Sequence, residues 1–244
     1  MTTRRAFLAA GGTVAAAGLA GCLGLGGGDS NSGGGGGDGG GQTTPSRSVA
    51  TAPVPDDPDA DTYARTSAGA EKTVTYVGNW KCPFCAEFST GSDRVLSLGT
   101  IVEEYVAPGD LALTYRALCY TGDGEPFLGP DAPRAGRAGL AVWNVDPGTY
   151  WRYHEHVMAN QPPESRRWAT KETLVEFARE AGVSDPQAVG QTIESGEYEQ
   201  AVRANTAFAA DHGVQGTPSI VVGDSAYSPF EPEALRSALD QFVG

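Results

Sequence analysis

The chain has 244 residues, 34 of them glycine, and carries 30 Asp and Glu against 17 Lys and Arg, a formal net charge of −13. A field of that sign repels polyanions and argues against nucleic acid as a partner. Its three lysines are Lys72, Lys81 and Lys171, and abundant carboxylate with scarce lysine suits a surface that stays hydrated in concentrated salt, where self-repulsion is screened.

Residues 1–22 join Arg4 and Arg5 to a small-residue apolar stretch from Ala6 to Ala20. The stretch is too short and too rich in Gly and Ala for a transmembrane helix, and it reads as an export signal. Thr3-Arg4-Arg5-Ala6-Phe7-Leu8 resembles a twin-arginine signal, which implies export of an already folded protein. Leu19-Ala20-Gly21-Cys22 resembles a lipobox. That resemblance implies that Cys22 becomes the lipid-bearing N-terminus and holds the chain to the outer face of the cytoplasmic membrane. A plain secretory signal with an incidental Cys22 is the alternative. Residues 23–68 are glycine-rich and nearly devoid of large apolar side chains, so a disordered tether is predicted there. As a flexible coil it spans roughly 35–40 Å. Residues 69–244 remain, a length suited to one domain.

Lys72-Thr73-Val74-Thr75-Tyr76-Val77-Gly78 alternates β-branched and aromatic residues and predicts a strand. A helix is expected from beside Cys82 to Ser92, with Pro83 in its first turn, where a missing N–H costs nothing. A second helical stretch runs through Val95, Leu96, Ile101, Val102 and Tyr105 to Pro108-Gly109, and Leu111–Leu118 is the next strand. Strand, helical crossover and strand make a right-handed βαβ unit with parallel strands, which places Cys119 at the same sheet edge as Cys82. Residues from about 131 to 212 read as a helical block. Within it, Thr170 caps a helix whose apolar face is Leu174, Phe177, Ala178 and Ala181, and Asp185-Pro186 opens another. Ser219–Val222, a turn at Gly223-Asp224, Ala226-Tyr227 and a terminal helix from Pro232 to Phe242 complete a ββα half.

Cys82-Pro83-Phe84-Cys85 carries the chemistry. A thiolate rather than a thiol attacks a disulfide, and a cysteine at a helix N-terminus faces unpaired N–H groups and the positive end of the helix dipole. Cys82 is so placed. Cys85 lies one turn in, more deeply buried. Cys82 is then the nucleophile that forms a mixed disulfide with a client, and Cys85 the thiol that resolves it. Half of a zinc site is the competing use of such a pair, but no second CxxC occurs, and His154 and His156, two apart on a helix, face different sides. A tethered metallochaperone holding a soft metal through the pair is accordingly the alternative function. Cys119 is either a small apolar residue at a strand end or a third thiol near the active edge. Trp80, Phe84 and Trp143 are candidates for an apolar client surface, Glu87 for a proton relay to Cys85, and Lys81 for a cation beside Cys82.

Around 135 residues after the motif comes Gly216-Thr217-Pro218-Ser219, just ahead of the apolar run Ile220-Val221-Val222. Strand, CxxC, helix and this distant Thr-Pro resemble the thioredoxin superfamily. Val106–Arg116, Tyr150–Gln161 and Ser195-Gly196-Glu197-Tyr198 are similar to its DsbA/DsbG-like branch. The resemblance implies an α/β thioredoxin fold with a helical insertion between its βαβ and ββα halves. It also implies a cis-proline loop at Thr217 and Pro218 that faces the cysteines, keeps metals away and docks an extended client segment beside Pro83 and Phe84. The implied partners are client proteins with thiols or disulfides and a redox partner that recycles the pair. No cofactor is implied beyond the redox-active Cys82–Cys85 pair, and no metal. Phe84 stands where the strongly oxidising DsbA type has histidine, and Gly78-Asn79-Trp80-Lys81 replaces an acidic-aromatic lead-in, so the direction of exchange stays open.

Overall fold

In the computed structural model, which describes residues 48–67 and 69–244, four short strands form one mixed sheet in the order β2-β1-β3-β4. The central strand β1 (Thr73–Gly78) pairs in parallel with β2 (Ala112–Ala117) and antiparallel with β3 (Ser219–Val222), which turns back into β4 (Ser225–Tyr227). Side chains alternate across a strand. Val74 and Tyr76 of β1 therefore enter the main apolar core, while Val77 joins a smaller cluster with Leu118, Ala209 and Val221 on the opposite face.

The crossover from β1 to β2 holds α1 (Pro83–Thr90), a short α2 (Leu98–Ile101) capped by the Ser97 side chain, and one π-helical turn over Val102–Val106. The insertion comprises α3 (Ala132–Val145), α4 (Tyr150–Asn160), α5 (Lys171–Glu180), α6 (Pro186–Ser195) and α7 (Glu199–Asp211). Thr170 and Asp185 accept from the backbone N–H groups of Thr173 and Ala188, as Ncap residues do. The last helix, α8 (Pro232–Val243), packs on β3. The expected α/β thioredoxin fold with its helical insertion is the fold observed. Among the described residues no helix is long and apolar enough to cross a membrane.

The N-terminal limit of the folded part differs from expectation. Residues 1–47, which include the signal, Cys22 and most of the predicted tether, lie outside the described residues. The tether's expected C-terminal stretch, 48–67, is packed onto the domain: Val49, Ala64 and Thr66 are buried. The reason is the outer edge of β2, which would otherwise present unpaired backbone groups. Thr66 N–H donates to the Leu113 carbonyl at 2.8 Å, Tyr115 N–H to the Ala64 carbonyl at 2.8 Å, and Leu113 N–H to Thr66 Oγ1 at 2.8 Å. Farther back, Val49 N–H and the Ser48 hydroxyl both donate to Glu155 of α4, at 2.7 and 2.8 Å. Trimming the chain to begin at Gly69 should therefore cost about 3 kcal/mol or more relative to a chain beginning at Ser48, at about 1 kcal/mol for each lost edge hydrogen bond. Urea unfolding of the two chains measures this directly, and equal midpoints would show that the strap contributes nothing.

Candidate active site

Cys82 occupies the Ncap position of α1, with φ −79° and ψ 120°, and Pro83 takes the first helical position. Its carbonyl accepts from the N–H groups of Cys85 and Ala86, each at 3.1 Å, so the helix starts at this residue. Cys85 is one turn inside and fully buried, and Cys82 keeps 4% of its surface. From the other half of the fold, the Thr217–Pro218 loop, whose peptide bond is cis, brings the Thr217 carbonyl to 3.3 Å from Cys82 Sγ. The structure thus unites Cys82, Cys85, Thr217 and Pro218, although 135 positions separate Cys82 from Thr217.

The proton affinities of the two sulfurs are driven in opposite directions. Cys82 falls from an ordinary 9.0 to about 6. A hydrogen bond from the Cys85 thiol does most of this; burial opposes it, and the Thr217 hydroxyl and the backbone N–H groups of Cys85 and Phe84 add to it. Burial, and the neighbouring Cys82 charge, hold Cys85 well above its usual range. One sulfur is ready to attack and the other is kept as a neutral thiol that donates to it.

Three residues to which the sequence assigned no role hold this geometry. Asn79 donates from its backbone N–H to Cys85 Sγ at 3.4 Å. Its side chain donates to the Leu118 carbonyl at 2.8 Å and accepts from Lys81 N–H at 2.9 Å, pinning the β1–α1 turn. Gln161, at the end of α4, donates to the Cys82 carbonyl at 3.3 Å. Asp131 receives the Lys81 ammonium at 2.5 Å, both residues almost fully buried, and its other oxygen accepts from Ala169 N–H at 2.9 Å. Asn79 and Gln161 were signalled in the sequence only by place, Asn79 in the lead-in to the motif and Gln161 at the end of the segment Tyr150–Gln161, and Asp131 not at all.

Other candidates are corrected. Lys81 is committed to Asp131 and the Arg166 carbonyl rather than to Cys82. Trp80 and Trp143 are core residues, 1% and 2% exposed, because the sheet and the insertion close over them; Phe84, at 54%, is the exposed one. Glu87 is turned to Ser92 and Arg94 at the surface. Cys119 is buried away from solvent, where burial pushes its thiol up to about 12, and the Gly136 N–H of α3 is among the groups that meet it. Among the described residues no group of three or more His, Cys, Asp or Glu is placed to hold a metal.

Residues 61–241 match the family described as Thioredoxin. The chain belongs to that family. It is 26% identical over 169 residues to the probable disulfide bond formation protein D of Bacillus anthracis, covering 69% of this chain and 72% of that one. The disulfide bond formation protein D of Bacillus subtilis is 24% identical, over 66% of this chain and 67% of its own length. Among solved structures, oxidised BdbD from Bacillus subtilis superposes with a TM-score of 0.64 at 21% identity, over 80% of this chain and 98% of that one. In this member of the thioredoxin family the dithiol lies at the junction of β1 and α1, Cys82 outermost.

A group whose folded pKa is depressed stabilises the fold above its unfolded pKa and ceases to do so as pH falls through the folded one. For Cys82 the window is about 6 to 9. Alkylation of reduced protein by iodoacetamide should rise through a midpoint near 6, and the reduced form should gain stability over the oxidised form as pH climbs from 6 to 9. A midpoint near 9 would show that the thiolate is not held.

Proposed function

We propose that this protein oxidises the thiols of client proteins outside the cytoplasm while tethered to the membrane through lipid on Cys22. It is a protein thiol–disulfide oxidoreductase of the thioredoxin family. The observation that carries the proposal is the Cys82 sulfur at the N-terminus of α1, 3.3 Å from the Thr217 carbonyl. A client thiolate attacks Cys82 Sγ of the oxidised pair, Cys85 leaves, and the client's second thiolate then attacks its own mixed-disulfide sulfur and expels Cys82 as the stabilised anion. Two electrons have passed to the Cys82–Cys85 pair, and a redox partner must remove them before the next cycle. Stabilisation of the Cys82 thiolate favours the reduced form and hence client oxidation. The relatives' names, disulfide bond formation protein, support the same direction.

Beside Cys82 a groove of about 490 Å³ is lined by Phe84, Thr217, Pro218, Tyr227 and Phe230, with the Phe84 and Phe230 rings edge to face at 5.7 Å. An extended client segment laid along the Gly216–Pro218 backbone presents an apolar side chain to these rings. The carboxylate excess suits work in concentrated salt.

Equilibration in glutathione buffers should place the Cys82/Cys85 couple far more oxidising than about −270 mV, the thioredoxin value, and towards about −120 mV. A couple at or below the first figure would reverse the proposed direction. In cells, Cys82 in a Cys85→Ser variant should trap clients in the membrane fraction, and adding Cys22→Ala should release those adducts to the soluble fraction. Trapped clients that stay with the membrane after Cys22→Ala would exclude the lipid tether. Phe84→Ser should lower kcat/KM for reduced client polypeptides about tenfold, the equivalent of about 1.4 kcal/mol of lost apolar contact. Its reaction with glutathione should be unchanged, and an equal loss with glutathione would place Phe84 in the chemistry instead of in client binding.

A further inference from the structure

Beneath the motif lies a buried polar group that thiol chemistry at the surface leaves unused. Tyr76 of β1 is fully buried, and its hydroxyl has no hydrogen-bond partner of good geometry. Buried polar atoms without partners are uncommon in folded proteins. The ring packs edge-on against Phe88 of α1 at 5.0 Å, Tyr115 of β2 at 4.9 Å and His154 of α4 at 5.8 Å. Phe88 stands three residues after Cys85 and so shares its helix face, which puts Tyr76 under the side of α1 that bears Cys85. Gly78 leaves room for the hydroxyl: a Cβ there would lie 2.7 Å from Tyr76 Oη. Charged side chains near the motif are engaged elsewhere, Lys81 with Asp131 and Glu87 with Arg94.

We propose that the Tyr76 hydroxyl is a catalytic hydrogen-bond donor to Cys85 Sγ at the moment that sulfur leaves the disulfide. This rests on the thiol–disulfide reading above. When a thiolate attacks Cys82 Sγ, the new bond forms at Cys82, the Cys82–Cys85 bond breaks, and its electron pair stays on Cys85 Sγ. That anion appears where no solvent reaches it. Asn79 N–H, already 3.4 Å from the sulfur, supplies one donor, and Tyr76 O–H the second. No proton is transferred in the step; Tyr76 keeps its own. Running backwards, the same two donors hold Cys85 as the anion that attacks the mixed disulfide and expels the client. The titration of the two groups agrees with this. Burial holds the Tyr76 hydroxyl well above its usual range and the Cys85 charge raises it further, so it donates rather than ionises, and Tyr76 is among the groups that lower Cys85 against the larger effect of its burial. Tyr76 also faces Cys82 and Tyr115, and burial alone pushes His154 down to about 3, so that ring is neutral.

The test is stopped-flow reduction of the oxidised protein by glutathione, a small thiol that needs no client groove. Tyr76→Phe keeps the ring and removes the donor. It should slow reduction about tenfold through the poorer leaving group, raise the Cys85 pKa in a Cys82→Ser background, and leave the Cys82 midpoint near 6. A purely structural role would leave the Cys85 titration where it was. Reduction at the wild-type rate with an unshifted Cys85 would overturn the proposal. Should Tyr76→Phe fail to fold, a fluorinated tyrosine at position 76, of the same shape and a stronger donor, decides: faster reduction supports the proposal, and an equal or slower rate overturns it. Wild-type protein that glutathione does not reduce at all would instead remove the thiol–disulfide reading itself.

Discussion

The unequal treatment of two sulfurs one helical turn apart is the constraint on which the rest of the protein depends. Cys82 stands at the start of α1, at the positive end of the helix dipole; Cys85 stands where the sheet and α4 have already excluded water. A buried thiol beside an anion remains protonated and donates to it, so each sulfur enforces the state of the other. Reversing the order of burial would leave the attacking sulfur neutral and inaccessible. The fold therefore has to fix the depth of α1 relative to the sheet closely, and most of the contacts around the motif do that.

Those contacts come largely from outside the βαβ half. Asn79 ties the β1–α1 turn to the end of β2, Gln161 holds the Cys82 carbonyl from α4, and Lys81 reaches Asp131 at the head of α3. A buried ion pair contributes little net stability against apolar residues of similar size, but breaking one member of it is costly, at about 3–5 kcal/mol. Its effect here is positional. The residue next to Cys82 cannot shift without separating two charges in a dry environment, so the insertion locks the motif as well as covering it. The strap over 48–67 extends the same logic by binding β2 and α4 together from the outside.

Much of this was legible in the sequence wherever the signal was local. The alternation of Thr73–Gly78, the proline after Cys82, the Thr170 and Asp185 caps and the Thr-Pro before Ser219 each announce structure within a few residues. What escaped was decided by distant partners. Residues 48–67 look like tether because they carry few large apolar groups, and they are ordered because β2 offers an unpaired edge. Lys81 reads as a cation beside Cys82 until Asp131, fifty positions on, is folded against it. Trp80 and Phe84 are both aromatic residues of the motif region, and no pattern along the chain says that one points into the core and the other out. Tyr76 was legible as a strand residue only, since its hydroxyl acquires meaning from the Cys85 sulfur, nine residues later on the next element.

The same arrangement bears on how an acidic protein sustains a thiolate. A formal charge of −13 opposes any further anion, and the obvious remedy, a cation beside Cys82, is absent from the contacts of the motif because Lys81 is spent on Asp131. What lowers Cys82 is a set of hydrogen bonds from Cys85, the Thr217 hydroxyl and the first N–H groups of α1. Long-range repulsion between exposed carboxylates decays over a Debye length, about 3 Å in molar salt, whereas donors in contact with a buried sulfur are hardly screened. Rising ionic strength therefore removes the unfavourable contribution to the Cys82 anion and leaves the favourable one in place. A site poised by donors in contact with the sulfur needs no neighbouring cation, which leaves Lys81 to be committed to structure through Asp131.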